Sequence, residues 1–368
     1  AAVRSDAVCH HADIAMRLGR KVRWDPVAEE FPGDEEANRL LARPMRAPWR
    51  LSKEHSMRQT LPALATLMLG AALAAEAGAE DLPTGAFEHS PEDQQKVEAA
   101  IPTAAPATPG KPRLMLVMNL NIRKGEVRGG HGSIPYGNLA LELMGKKTGA
   151  YEILLSDDVE LWRSESIRRF DAICFMNTVG VLTDDPELRE SLLAFVRDGG
   201  GFVAVHAGGG ATFVEWPEYG QFPEFGEMVG GYENGGHPWA PDEPITIRVE
   251  DETHPLTRML DPSGFVVEDE VFQFQAPYSR EKVRVLLSID TARTDMSPDR
   301  RFLPERAEDH DFPMSWIKTY GKGRVFYTSF GHNTHMYQDR TLLEHYLAGI
   351  QYALGDLEAD ASPRALVE

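Results

Sequence analysis

Eight histidines fall in the second two-thirds of this chain: His131, His206, His237, His254, His310, His332, His335 and His345. Their settings differ. His131 follows Gly129-Gly130, His206 closes the apolar run Phe202–Val205, His237 follows Gly235-Gly236, and His332 follows Ser329-Phe-Gly331. Glu270, in the acidic run Glu268-Asp-Glu270, could add a carboxylate. Several imidazoles with one carboxylate suit a divalent transition ion, zinc or similar, that polarises a carbonyl or activates water. The same set could do acid–base work without a metal, since imidazole titrates near neutral pH. His131, His206 and His332 are the expected metal ligands, and His206, Glu270 and His237 the expected catalytic groups. His254 precedes a proline and reads as a turn residue. His310 and His345 read as exposed or structural, and His335 as a spare.

These residues need elements that bring them together. Asp185-Pro186 can start a helix, and Leu188, Leu192, Phe195 and Val196 make one apolar stripe along it. Gly199 to Gly201 stop it, and Phe202–Val205 reads as a strand covered on both faces. Further strands are expected at 114–119, 151–155, 172–176, 245–249, 271–274, 283–289 and 323–329. Helices are expected at 136–147 and 342–354, and 290–311 reads as a polar excursion. Strands alternating with helices predict an α/β fold with a mainly parallel sheet and helices on both faces. The loops after successive parallel strands gather at one sheet edge, where ligands bind. His131, His206 and His332 are therefore expected to converge, with His237 reaching them from a long loop. Tyr136, Trp216 and Trp239 are aromatic candidates for stacking on sugar faces, although core packing explains such rings equally well.

Composition narrows the function. The net charge of −19 argues against nucleic-acid binding, which needs clustered Lys and Arg. No apolar run reaches the ~18 residues of a membrane span. The two cysteines, Cys9 and Cys174, offer neither a disulfide framework nor a cysteine-based zinc site. A histidine stands at the elbow after the Gly199–Gly201 strand, where a Cys or Ser would suggest acyl transfer. Covalent acyl-enzyme chemistry is thus disfavoured.

The chain is expected to divide into an extension at 1–56, a signal-peptide-like segment at 57–79, a linker at 80–110, an α/β domain at 111–356 and a tail at 357–368. Met57 to Ala79 has a charged start, an apolar stretch and a small-residue cleavage site. If translation starts at Met57, a periplasmic or secreted protein is expected, and otherwise a cytoplasmic one.

Two resemblances add to this reading. Cys9-His-His-Ala-Asp-Ile-Ala-Met-Arg-Leu-Gly-Arg-Lys, Arg23-Trp-Asp-Pro and the arginine-rich run from Ala37 to Leu51 resemble the C-terminal tail of the Gfo/Idh/MocA sugar dehydrogenases. The glycine fingerprint of that family's nucleotide-binding half is absent, so neither NAD nor flavin is expected. His131-Gly-Ser-Ile-Pro-Tyr136, Gly200-Gly-Phe-Val-Ala-Val-His206-Ala, Gly236-His-Pro238, Thr253-His-Pro-Leu-Thr257, Asp269-Glu270 and Tyr320-Gly-Lys-Gly-Arg-Val-Phe-Tyr-Thr-Ser-Phe-Gly-His332 resemble the ThuA-like (trehalose utilisation) family over residues 111–356. That resemblance implies a flavodoxin-like three-layer sandwich of the class I glutamine amidotransferase type, without the amidotransferase cysteine. It also implies carbohydrate catabolism beside Gfo/Idh/MocA-type dehydrogenases. The family's usual His-Ala-Ala is here His206-Ala-Gly-Gly-Gly, so substrate contacts in that loop are expected to differ. The expected function is metal-assisted hydrolysis or rearrangement of a glycoside or 3-keto-sugar. The alternative is a non-catalytic carbohydrate-binding partner of a sugar dehydrogenase.

Overall fold

The structure is a computed structural model that describes residues 14, 18, 20–24, 31–34, 37–38, 90–215, 221–233 and 236–365. The signal-like segment 57–79 and Trp216 lie outside the described residues. The chain forms two compact units, 1–76 and 77–368. In the first, Ile14, Phe31 and Ala37 form a small core with Leu18, Val22 and Trp24 packed on it.

The second unit is an α/β body. Its helices are α1 (Pro91–Ala100), α2 (Ile134–Thr148), α3 (Ser164–Ile167), α4 (Pro186–Arg197), α5 (Ala207–Gly210), α6 (Pro223–Val229), α7 (Pro304–Asp309) and α8 (Arg340–Ala353). Its strands are β1 (Leu114–Met118), β2 (Ile122–Arg123), β3 (Glu126–Val127), β4 (Glu152–Leu155), β5 (Ala172–Met176), β6 (Gly201–Val205), β7 (Tyr232–Glu233), β8 (Pro244–Val249), β9 (Phe265–Glu268), β10 (Phe274–Gln275), β11 (Arg284–Ile289), β12 (Pro313–Tyr320) and β13 (Gly323–Thr328).

Nine of these strands form one sheet in the order β4-β1-β5-β6-β13-β12-β11-β8-β9. The first five run parallel, and β12, β11, β8 and β9 extend the sheet by antiparallel pairing. Taken in chain order, the five parallel strands have the flavodoxin order 2-1-3-4-5. Their apolar runs are continuous because both faces are covered. Met115 and Val117 of β1 enter one core with α1, α2 and α8, while Leu116 and Met118 enter the other with α4 and α6. The same alternation recurs in β5 and β6. Asp185 caps α4 by accepting from the Glu187 N–H at 2.8 Å, and α4 buries Leu188, Leu192, Leu193 and Val196. Phe195 of the expected stripe is only partly buried.

Several expectations need correction. Within the expected linker 80–110, the weakly helical patch at 91–101 forms α1 and its C-cap, and Val97, Ala100 and Ile101 are buried in the core. Residues 271–273 are not a strand. The chain turns inward there, and buried Gln273 bonds to other loops rather than to a ladder. β9 and β12 were unforeseen. In β12 the polar Ser315 and Lys318 interrupt the apolar pattern, yet both are buried, with Ser315 bonded to the Tyr327 carbonyl and Lys318 to the Glu227 carbonyl.

Candidate functional site

Four segments meet at the carboxyl ends of the parallel strands. His131 comes from the loop between β3 and α2, His206 from the end of β6, His332 from beyond β13, and Glu270 from the segment after β9. The ligand atoms of these four side chains all lie within 4.8 Å of one another. The rings of His131 and His206 are 5.1 Å apart edge to face, those of His131 and His332 also 5.1 Å, and those of His206 and His332 5.3 Å. Glu270 Oε2 is 3.1 Å from His332 Nδ1 and 3.3 Å from His206 Nε2. Ligand atoms around a tetrahedral ion with bonds of about 2.0–2.2 Å stand roughly 3.3–3.6 Å apart, so these approaches match in scale.

The elbow at His206 is backbone-strained. Its φ of 50° and ψ of −119° lie where non-glycine residues are rare. Two contacts hold it there. The His206 N–H donates to the Thr328 carbonyl at 2.7 Å, and Nδ1 lies 2.7 Å from the Ser329 carbonyl. A carbonyl only accepts, so Nδ1 donates to Ser329 and Nε2 is the ring nitrogen that faces Glu270. Phe272 stacks on the ring at 4.3 Å.

Three ring nitrogens, His131 Nδ1, His206 Nε2 and His332 Nδ1, are buried without a hydrogen-bond partner of good geometry. Buried polar atoms are ordinarily satisfied. Two of the three face Glu270 Oε2, at 3.1 and 3.3 Å, so the nitrogens and the carboxylate form one donor set around a common point. Burial, and next the neighbouring His206 and His332, push His131 well below the usual histidine range, so it is neutral and able to donate a lone pair. Burial works to raise the Glu270 carboxyl, but His206 and His332 hold it well below the usual range, so it is an anion. The chemistry of this donor set fits a divalent ion.

His237 stands beside the four. Its Nδ1 is 3.8 Å from Glu270 Oε1, and burial lowers its affinity for a proton. The side chain remains partly exposed, unlike His206. Beneath the cluster, the Gly331 carbonyl accepts from Ser133 Oγ at 2.7 Å, Asn177 Nδ2 at 3.1 Å and Tyr337 OH at 3.2 Å. This one oxygen ties the His131 loop, the end of β5 and the His332 loop together. The Asp269 carboxylate accepts from the N–H groups of Gly331 and Asn333, each at 2.7 Å, and from His332 at 3.4 Å.

The structure thus gathers His131, His206, His237, Glu270 and His332, as expected from sequence. The aromatic candidates fare differently. Trp239 is buried, with Nε1 donating to the Asp295 carbonyl, so its ring has no face to offer a sugar. Tyr136 is half-buried, packs on the core and bonds Asp93 at 3.3 Å. His345 is structural: Nδ1 bonds the Leu256 carbonyl and Nε2 the Ser315 hydroxyl. His254 lies in a turn and bonds the Asp360 carbonyl. His310 and His335 are exposed. Sequence reasoning missed Asp269, Ser133 and Asn177. Asp269 could have been found from its place beside Glu270, but nothing in the sequence marks the other two.

A sequence profile of the family described as trehalose utilisation, ThuA, matches residues 121–353. The chain belongs to this family. The ThuA match takes in all five gathered residues. A second profile, of an oxidoreductase family's C-terminal alpha/beta domain, matches residues 1–51. The ThuA fold recurs in a ThuA-like protein from Bacteroides uniformis, at 20% identity, covering 67% of this chain and 94% of that one, with a TM-score of 0.51. A ThuA-like protein from Parabacteroides merdae aligns at 16% identity over 69% of this chain and 98% of its own, with a TM-score of 0.44. A β-galactosidase from Bacillus circulans aligns at 15% identity over 72% of this chain but 33% of its own, with a TM-score of 0.38. No curated protein matches. Like its ThuA relatives by family, the chain is thereby related to carbohydrate utilisation.

Proposed function

We propose that this ThuA family member is an enzyme that hydrolyses or rearranges a glycoside or keto-sugar with the help of a divalent cation held by His131, His206, Glu270 and His332. The observation that carries this reading is the set of four convergent donors with three orphaned ring nitrogens. A bound cation there would supply Lewis-acid polarisation of a sugar oxygen or a lowered pKa for water. The chain's own groups do the rest. His206, fixed by Ser329 and stacked on Phe272, keeps Nε2 aimed at the centre. Glu270 keeps a negative charge inside the site and so orders positive or proton-bearing groups near it. His237, neutral and partly exposed, is placed to accept a proton from a substrate hydroxyl or carbon acid and return it to a leaving oxygen. The match of residues 1–51 to an oxidoreductase domain supports a pathway in which a dehydrogenase oxidises the sugar that this enzyme uses.

The test is metal content by elemental analysis of the full chain after exposure to Zn²⁺, Mn²⁺ or Ni²⁺, against His206→Ala and His332→Ala. About one ion per chain, lost in both variants, is expected. No ion in the intact protein would sink the metal reading and leave acid–base chemistry by the same histidines.

A further inference from the structure

A polar cavity of about 540 Å³ opens beside His237, lined by Gly236, Pro238, Asp295, Ser297, Asp299, Arg300 and Arg301 besides His237 itself. Its size suits a small molecule. It borders the metal-type cluster through His237, whose Nδ1 is 3.8 Å from Glu270 Oε1. A larger cavity, about 1260 Å³, sits at the amino ends of β1 and β4, where Lys111 pairs with Asp171 at 2.7 Å and Lys146 with Glu142 at 2.8 Å.

The smaller cavity is built rather than incidental. Gln273, buried and three residues past Glu270, fastens both of its walls. Its Nε2 donates to the Gly236 carbonyl at 3.2 Å and to the Arg301 carbonyl at 2.8 Å, while its Oε1 accepts from the Leu303 N–H at 2.7 Å. Arg300 donates to the Pro238 carbonyl at 2.7 Å and pairs with Glu243 at 2.7 Å and Asp295 at 2.6 Å. Trp239 Nε1 donates to the Asp295 carbonyl at 2.8 Å. The excursion 295–301 is thus clamped against the His237 loop and onto the segment that carries Glu270.

Among the described residues, two of the charged lining groups have no side-chain partner, Asp299 and Arg301. Both are exposed. One accepts hydrogen bonds and the other donates them, and among the described lining residues two carboxylates stand against two guanidiniums. Among the described residues, no aromatic face lines the cavity. Such a surface suits a neutral polyhydroxylated ligand held by hydrogen bonds, because a carboxylate takes hydroxyl protons while a guanidinium takes hydroxyl oxygens.

Resting on the metal-centre reading above, we propose that this cavity is the subsite for the polyhydroxylated part of the substrate, with Asp299 and Arg301 gripping one vicinal diol and Gln273 holding the walls in register with Glu270. Substrate would then lie with its hydroxyl-rich end on Asp299 and Arg301 and its reacting end past His237.

The test is ligand-observed NMR titration of the zinc-loaded full chain with D-glucose and with D-gluconate, using wild type, Asp299→Asn, Arg301→Gln and His206→Ala. Wild type is expected to bind glucose better than gluconate. Each cavity variant should weaken glucose by roughly tenfold, since each loses hydrogen bonds to a charged group. Zinc stoichiometry and thermal midpoint should stay unchanged in both. Glucose affinity unaltered in Asp299→Asn and Arg301→Gln, absence of glucose binding to wild type, or tighter binding of gluconate would each overturn the diol grip. The two readings fail separately. If wild type takes up no zinc but the cavity variants still lose glucose, the metal centre falls and the subsite stands. If His206→Ala loses zinc while the cavity variants bind glucose normally, the subsite falls and the metal centre stands.

Discussion

A carboxylate that accepts three backbone N–H groups is a fixture, and Asp269 is one. Its contacts to Gly331, His332 and Asn333 set the path of the loop that carries His332, while its chain neighbour Glu270 enters the cluster directly. Asp269 therefore positions two of the four donors at once. Burial raises its carboxyl above the usual range, and the N–H groups oppose that rise. Asp269→Asn keeps the shape but puts an amide N–H against backbone N–H groups. Supporting groups of this kind are worth about 10–100-fold in metal affinity. A competition titration with a chromogenic chelator should show zinc affinity in Asp269→Asn weakened by at least about tenfold, with the protein still folded. Equal affinity would mean that Asp269 serves only the fold.

At the scale of elements, the site depends on how closely α5 approaches β5. A Cβ added at Gly208 would come 2.0 Å from the Phe175 carbonyl oxygen, which is backbone and cannot swing aside. Gly208 follows the strained His206 by two residues, so a larger residue pushes the elbow out of place. Overpacking of this kind costs typically about 1–3 kcal/mol. Gly208→Ala should lower the thermal midpoint by several degrees and weaken zinc binding together. A variant with unchanged midpoint and unchanged zinc affinity would show that the helix can shift without cost. Gly208 thus admits the backbone of β5 beside the elbow, where a side chain has no room.

At the scale of the whole α/β body, the buried histidine between sheet and helix makes stability depend on pH. His345 on α8 is fully buried between Leu256 and Ser315, and burial depresses it from 6.5 to about 4. The unfolded chain binds this proton more readily than the folded one. The contribution is therefore complete above pH 6.5 and is lost as pH falls towards 4. A shift of that size is worth at most about 3 kcal/mol. His345→Gln removes the titration while keeping a donor and an acceptor. Denaturant unfolding across that range should show a shallower acid loss in the variant than in wild type, and identical slopes would refute this role. Zinc loading should add stability of its own, about 2.7 kcal/mol at a hundredfold excess over the dissociation constant.

What the sequence determined by itself was the scaffold and the identity of the donors. Continuous apolar runs at 114–118, 172–176 and 201–205, followed by Asn119, Asn177 and His206, read as strands covered on both faces. In a parallel sheet their loops must meet, which is why His131, His206 and His332 were legible from the sequence. The tertiary structure alone decided the rest, because the deciding contacts join residues far apart in the chain. Ser133, Asn177 and Tyr337 converge on the carbonyl of Gly331, a backbone atom that no side-chain pattern reports. Trp239 looked like a sugar platform but faces the core, since aromatic rings serve burial and stacking equally well in a one-dimensional text. Strand β12 was masked by Ser315 and Lys318, whose polar groups find partners only across the sheet. The segment 290–311 read only as a polar excursion for the same reason: its hold on the site runs through Gln273, Arg300 and Trp239 to main-chain carbonyls, and those bonds exist only once the chain has folded.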